Sequence, residues 1–435
     1  MKLELGYFHV RDIVFGEKTF FANGVLTINK EEALNTVFED ENITSADLFL
    51  AKKGDPIRIT PVKDAVEPRC KVSGGVMFPG VTNKLMQAGQ GRTHVLKGSC
   101  VLAVGKHWGG FQDGLIDMSG PGANQTMFSE LLNICLVADT SEEFEKKQQQ
   151  KKNKALRWAA MRLAEYLGNC VKDLEPEELE VCEHLPLDKR SEEVNKLPRV
   201  VYVLQLQSQM LENGYNALVY GWDSNRMVPT LMNPNELLDG AIVSGSFMPS
   251  SSKISTYQHV NNATLKRLME EHGKAINFIG VIMSNLNVQL EEKQRSAYFV
   301  RQLATSLGAE GAIVSEEGYG NPDSDFILVI NELEDAGIKV VGITNECTGR
   351  DGKSQPLVDL SDKANAIVST GNVSQFIQLP PMEIVIGELE SLARDGNSGG
   401  WEGSVLEDGS IKMENNGMFC ADSSTGNHYK TVVEY

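Results

Sequence analysis

Little in this chain of 435 residues carries positive charge: Lys and Arg number 41 against 59 Asp and Glu, for a formal net charge of −18. A nucleic-acid backbone is thereby disfavoured as partner, because phosphate contacts need clustered cations. No uncharged apolar run reaches the ~18–20 residues that a bilayer crossing requires. The start, Met1-Lys2-Leu3-Glu4-Leu5-Gly6, places an acid within five residues and lacks a signal-peptide core. Cysteine is scarce and scattered, with seven residues and no CxxC pair. Reduced thiols in a cytoplasmic setting are the expectation, with no metal site.

Several catalytic signatures are missing too. There is no Gly-x-Ser-x-Gly elbow and no His-Glu-x-x-His. Gly349-Arg350-Asp351-Gly352-Lys353-Ser354 ends like a phosphate loop, but Cys347 occupies the place of its first glycine. Gly89-Gln90-Gly91-Arg92-Thr93-His94 lacks the third glycine of a dinucleotide fingerprint.

What is present divides the chain. The first ~130 residues read as strands and turns. Asn23-Gly24 between apolar runs predicts a hairpin, and Lys53-Gly54-Asp55-Pro56 a second turn of similar kind. A long helix is expected from Thr140, with Thr140 and Glu143 at capping-box spacing and Gly168 as a left-handed stop. The Lys/Gln run at 146–152 reads as its solvated face. A polar, proline-bearing stretch from Glu175 to Pro198 suggests a boundary.

From Arg199 onward, β-branched runs alternate with helical stripes. They lie near 200–204, 241–243, 278–282, 312–314, 339–343 and 366–368. Continuous apolar runs of this kind suit parallel strands covered on both faces. The fold class expected is α/β: a β-rich N-terminal domain (1–196), then an open, mainly parallel, Rossmann-like sheet domain (197–380). A C-terminal part (381–435) follows, with one helix, a Gly-rich tail and a hairpin at Glu407-Asp408-Gly409-Ser410.

Ligands of open α/β sheets bind beyond the carboxyl ends of the strands. Polar segments follow four of the runs: Ser244–Ser252, Ser315–Asp325, Thr344–Gly352 and Ser369–Asn372. Glu316 and Glu317, two acids in a tight loop, suit binding of an ammonium group. Asn321-Pro322-Asp323 reads equally as a helix start, with Asp323 and Asp325 favoured by the dipole. Arg350 either clamps a carboxylate or pairs with Asp351. Tyr257 and His259 stand in a polar loop before a helix, where a lone His is more often structural. Residues alone therefore stop at an α/β protein with a polar loop cluster suited to a small zwitterion.

Specific strings go further. Arg58-Ile59-Thr60-Pro61-Val62-Lys63-Asp64, Met77-Phe78-Pro79-Gly80, Gly91-Arg92-Thr93-His94 and Gly114-Leu115-Ile116-Asp117-Met118-Ser119-Gly120 run in order along the chain. Leu206-Gln207-Ser208-Gln209, Asp239-Gly240-Ala241-Ile242-Val243-Ser244-Gly245 and Glu317-Gly318-Tyr319-Gly320-Asn321-Pro322-Asp323 follow. Together they resemble the component B subunit precursor of glycine/sarcosine/betaine reductase. The resemblance implies a cytoplasmic substrate-binding subunit in anaerobic amino-acid reduction. It would work with a selenocysteine- or cysteine-bearing redox subunit of component B and a selenoprotein component A, in a hetero-oligomer. It also implies cleavage of the precursor at a cysteine and a pyruvoyl group at the new terminus, whose keto carbon captures an amine. Here Ser244-Gly245-Ser246-Phe247 departs from the family's Ser-Gly-Asn-Cys. Phe247 stands in the place of that cysteine, so no cofactor is expected. Two readings follow: an uncleaved chain that binds its ligand non-covalently, or an acyl shift onto Ser246 or a nearby serine. A non-catalytic binding or scaffolding paralogue is the alternative from another class.

Overall fold

A computed structural model describes residues 1–105, 112–210, 215–393 and 399–425, with side chains at 142, 145–151, 391 and 393 left aside. The N-terminal region is built on antiparallel and mixed sheets. Lys2–His9 pairs with Gly91–Lys97 and Glu178–Glu183. A larger sheet has Ile57–Val66, Ser99–Gly105 and Leu132–Thr140 at its centre and Ile43–Ala51 at one edge. The Asn23-Gly24 hairpin forms as its sequence demands, both residues having positive φ (52° and 81°) between Phe20–Ala22 and Val25–Ile28. The turn at Gly54 also forms (φ 88°), but the strands it joins do not pair with each other; two others separate them in the sheet.

Helix Glu142–Asn169 crosses this sheet, burying Leu156, Ala159, Ala160, Leu163 and Leu167 in one cluster. Its cap is Ser141, whose side chain accepts the N–H of Phe144, rather than Thr140. Nor does Gly168 stop it. The helix runs on to Asn169, and Gly168 is small because Arg69 backbone lies where its Cβ would be. Lys152 departs from the solvated face expected of 146–152: it is buried and pairs with Asp139 at 2.7 Å. The side chains of 146–151 lie outside the described residues.

The second half carries a six-stranded sheet ordered Thr230–Met232, Asn277–Asn285, Arg199–Leu206, Gly311–Ser315, Lys339–Glu346, Ile367–Asn372. Every pairing in it is parallel except that of the first, edge strand. The mainly parallel α/β architecture is therefore present. One expected member is not: Ile242–Val243 pairs antiparallel with Leu218–Val219 in a separate small sheet, being too short to span the main one. Helices Leu290–Ser306 and Asn321–Asp335 cover one face, packing Val300, Ala304, Phe326 and Ile330 on Val201, Val203 and Val314. The helix stops at Gly308 and Gly337 fall as expected, with φ of 67° and 80°.

The end of the chain contains more strand than expected. Ile384–Gly387 adds in parallel to Ile57–Val66, and Glu390–Ala393 is a short 3-10 turn instead of a helix. The 407–410 turn forms, with Gly409 at φ 80° and Leu406 N–H donating to Ser410 O at 2.9 Å. Among the described residues, no helix is long and apolar enough to cross a membrane.

Candidate functional site

Along a strand, alternate residues share a face. Val201 and Val203 face the helix layer, so Gln205 does too. Gln205 is level with Ser284 in the parallel register, and Leu204 with Ser315, which sets Glu316 beside Gln205. Ser315 in turn is level with Ile343, which sets Thr344 beside Glu316. A polar row, Ser284–Gln205–Glu316–Thr344, thus replaces the apolar layer at the carboxyl ends of four adjacent strands. All four are buried. Thr344 donates its hydroxyl to Glu316 Oε2 at 2.6 Å, while both amide atoms of Gln205 and the Ser284 hydroxyl have no partner among the described residues. Buried polar atoms without partners are rare and costly, and sites that take ligands are where they are tolerated.

Glu317, two residues beyond the end of strand Gly311–Ser315, serves a second purpose. Its carboxylate accepts Gln207 N–H at 2.7 Å and Ile254 N–H at 3.0 Å, tying the end of Arg199–Leu206 to the 244–256 segment. Burial raises its pKa to about 7, against the lowering effect of those two donors. Glu316 is pushed well above the usual range, by burial first and then by Asp323. Asp323 is also raised by burial, although its oxygens accept Gly320 N–H at 2.7 Å and Val358 N–H at 2.6 Å. Asp325 is raised to about 6 by burial despite its ion pair with Lys293. Asn321 accepts from Gln209 at 2.6 Å and from Lys293 at 2.8 Å. Asp323 and Asp325 lie in the first turns of helix Asn321–Asp335, where the sequence placed a helix start.

The segment that carries Ser246 and Phe247 is fixed by backbone contacts. Tyr215 carbonyl accepts the N–H of Ser246 at 2.7 Å and that of Phe247 at 3.0 Å. Gly245 presses on residues 215–217 so closely that a Cβ would meet Ala217 N at 2.7 Å. From the other side, Arg157 donates to Ser244 O, and Thr256 Oγ1 accepts Ser244 N–H at 3.1 Å while donating to Asp64 at 2.7 Å. The Phe247 ring meets the Tyr215 ring nearly edge-on, with centroids 6.0 Å apart. Met248 lies against Gly318, whose φ of 101° and missing Cβ leave room for the thioether.

Not all the expected residues gather. Tyr257 and His259 are in a short helix, Thr256–Val260, rather than a loop. Tyr257 packs edge-on against Phe128 in the core of the N-terminal sheet. His259 is fully buried, burial lowers its pKa to about 3, and neither ring nitrogen has a partner among the described residues. Arg350 pairs with neither a central carboxylate nor Asp351. It donates to Glu414 at 2.7 Å and stacks over Trp401, its side chain 55% exposed. Asp351 accepts Lys353 N–H at the surface.

Sequence reading missed Gln205, Gln207 and Ser284, whose signal was a polar residue at an alternate position ending an apolar strand. It also missed the tail. Cys420 and Asp422 N–H donate to Ser250 O (2.8 Å) and Ser251 O (2.7 Å). Asp422 O accepts from Thr370 at 2.6 Å, and Ser424 donates to Glu316 O. Three of the four polar segments are thus joined through the tail, and the fourth reaches them through Thr344, which donates to Glu316.

Residues 1–433 match the family described as glycine/sarcosine/betaine reductase component B subunits. The chain belongs to that family. As a component B subunit, it is the substrate-binding part of an oxidoreductase complex of the reductase type. It is 66% identical, over all of both chains, to a betaine reductase complex component B subunit alpha from Peptoclostridium acidaminophilum. It is 43% identical, again over all of both chains, to the glycine reductase complex component B subunits alpha and beta of that organism. Against its sarcosine reductase complex component B subunit alpha, identity is 43% over 95% of each chain. No solved structure matches this component B chain.

Proposed function

We propose that this chain is the substrate-binding subunit of a betaine-type reductase, holding a small quaternary-ammonium acid non-covalently while a redox partner cleaves the C–N bond. The observation that carries the reading is the 66% identity along the whole chain to a betaine reductase subunit, against 43% to the glycine and sarcosine relatives. The chemistry agrees with it. A selenolate or thiolate on the partner forms a bond to the α-carbon as the C–N bond breaks, and the electron pair leaves with nitrogen. From a quaternary nitrogen the leaving group is neutral trimethylamine, which needs no proton and no prior condensation with a carbonyl.

The residues present do not fit a cysteine-derived pyruvoyl group. Position 247 carries a phenyl ring packed on Tyr215, without a nucleophile for a backbone acyl shift. On this reading the chain stays whole, residues 197–380 carry the site, 1–196 form the platform beneath it and 381–435 help to close it. The partners are a selenocysteine or cysteine subunit of component B and a selenoprotein component A, in a cytoplasmic hetero-oligomer. Substrate contacts are expected from the Glu316–Glu317 loop, with Asn321 and Asp323 at the adjoining helix start.

Reconstitution tests it. The chain combined with the redox subunits of its host should release trimethylamine from betaine and little ammonia from glycine or methylamine from sarcosine. Ammonia or methylamine release without trimethylamine would reverse the assignment, and no release from any of the three would favour a non-catalytic paralogue.

A further inference from the structure

We infer that the cleft between Trp158 and Trp222, beside the loop cluster, is an outer binding site for a small quaternary-ammonium acid; this rests on the betaine-class reading above. The cleft has a volume of about 450 Å³, with Lys154 and Trp158 of helix Glu142–Asn169 on one side and Trp222, Asp223 and Arg226 on the other. A quaternary nitrogen has no N–H and no lone pair, so hydrogen bonds cannot hold it. An aromatic face and an opposite charge can. Lys154 already places its ammonium 4.2 Å from the centre of the Trp158 ring. Trp222 is 63% exposed and carries no such cation among the described residues. Its position is set by the backbone: it pairs with Val219 across a Tyr220-Gly221 turn with positive φ at both residues (53° and 78°). That turn sits on Gly80 so closely that Gly221 has no room for a Cβ.

Asp223 is the independent observation. Only 8% of it is exposed. Its Oδ1 accepts from Asn216 at 2.8 Å and from Asn225 N–H at 3.1 Å, while Oδ2 has no partner among the described residues. A buried carboxylate that meets only neutral donors keeps an uncompensated charge, which attracts a cation held above it without touching it. Arg226 stands exposed at the rim, in no hydrogen bond or ion pair among the described residues. Its guanidinium is therefore available to a ligand carboxylate. An acid beneath, an indole at the wall and a cation at the rim, all within residues 222–226, match the two charges of a zwitterion. The cleft also adjoins the loops. Leu218–Val219 pairs with Ile242–Val243, which leads into Ser244–Phe247, and Ser224 donates to Gln207 O at 2.9 Å.

Indole N–H resonances of the full chain, labelled with 15N at its four tryptophans, report on this cleft and not on the loops. Trp222→Phe assigns the Trp222 signal. Betaine should shift that signal saturably, and its uncharged-head isostere 3,3-dimethylbutanoate should need about three- to ten-fold more ligand, the worth of an exposed cation–π contact. Arg226→Gln should weaken betaine and the isostere alike and spare tetramethylammonium. Asp223→Asn, which keeps the Oδ1 acceptor, should weaken betaine and tetramethylammonium but not the isostere. A Trp222 signal that betaine leaves unmoved, or that betaine and the isostere move equally well, overturns the proposal, as does betaine affinity unchanged in both Arg226→Gln and Asp223→Asn. Trimethylamine release by the reconstituted complex tests the betaine reading separately. Release with an unmoved Trp222 signal would sink the cleft alone, and a betaine-shifted signal without release would sink that reading alone.

Discussion

Ile254 donates its backbone N–H to Glu317 at 3.0 Å, joining a loop on one side of the site to the end of a parallel strand 63 residues further on. The same carboxylate takes Gln207 N–H, so one side chain closes three segments. Polar groups gather here because buried backbone donors at strand ends need acceptors.

Glu317→Ala leaves both N–H groups buried and unpaired. A loss of about 2–5 kcal/mol is expected from two such donors, with Glu317→Gln losing less because the amide keeps one acceptor oxygen. Denaturant unfolding of the three proteins measures it, and an alanine variant as stable as wild type would contradict the role.

Stability should also fall with rising pH. Glu316 holds its proton to higher pH folded than unfolded, as does Glu317, whose folded value is about 7 against 4.5. The folded state therefore has its full stability below the ordinary carboxyl range and loses it as pH rises through the folded values. Glu316→Gln mimics the protonated acid beside Thr344 and Asp323. Its melting temperature should match wild type near pH 5 and exceed it near pH 8; parallel curves for the two proteins would refute the assignment.

Gly168→Ala reverses the usual rule. In an open helix interior alanine gains about 1 kcal/mol over glycine. Here the added Cβ would overlap Arg69 backbone, so the variant should lose about 1–3 kcal/mol by overpacking. A raised melting temperature would show that the helix and the strand at Arg69 are not in contact.

The tail is as much a part of the site as the loops. Phe419 and Cys420 are buried and 419–425 bridge Ser250, Ser251, Thr370 and Glu316. A chain ending at Met418 should unfold at lower temperature and lose betaine binding together. Retention of both would place the tail outside the site.

Much of this was legible in the sequence. The β-branched runs and the glycine stops at 308 and 337 gave the parallel sheet, and Glu316-Glu317-Gly318 lay at its edge. What escaped depended on tertiary contact. Ile242–Val243 resembles its neighbours locally, but only pairing assigns it to another sheet. Gly168 looked like a helix stop because a backbone approach leaves the same residue as a left-handed cap. Arg350 found Glu414 and Trp401, 64 and 51 positions away, which no local spacing reveals. The tail reads as a Gly-rich end and is held in place by backbone donors that carry no side-chain signature.

An uncut backbone at Ser246–Phe247, with the ligand held by contact alone, is what distinguishes this subunit from a cleaved, pyruvoyl-bearing one. Intact mass of the purified chain under denaturing conditions addresses this directly. One species at 47.8 kDa, unchanged after incubation with betaine, is the expected result. Two fragments parting near Gly245, the later one opening with a keto acid, would contradict it.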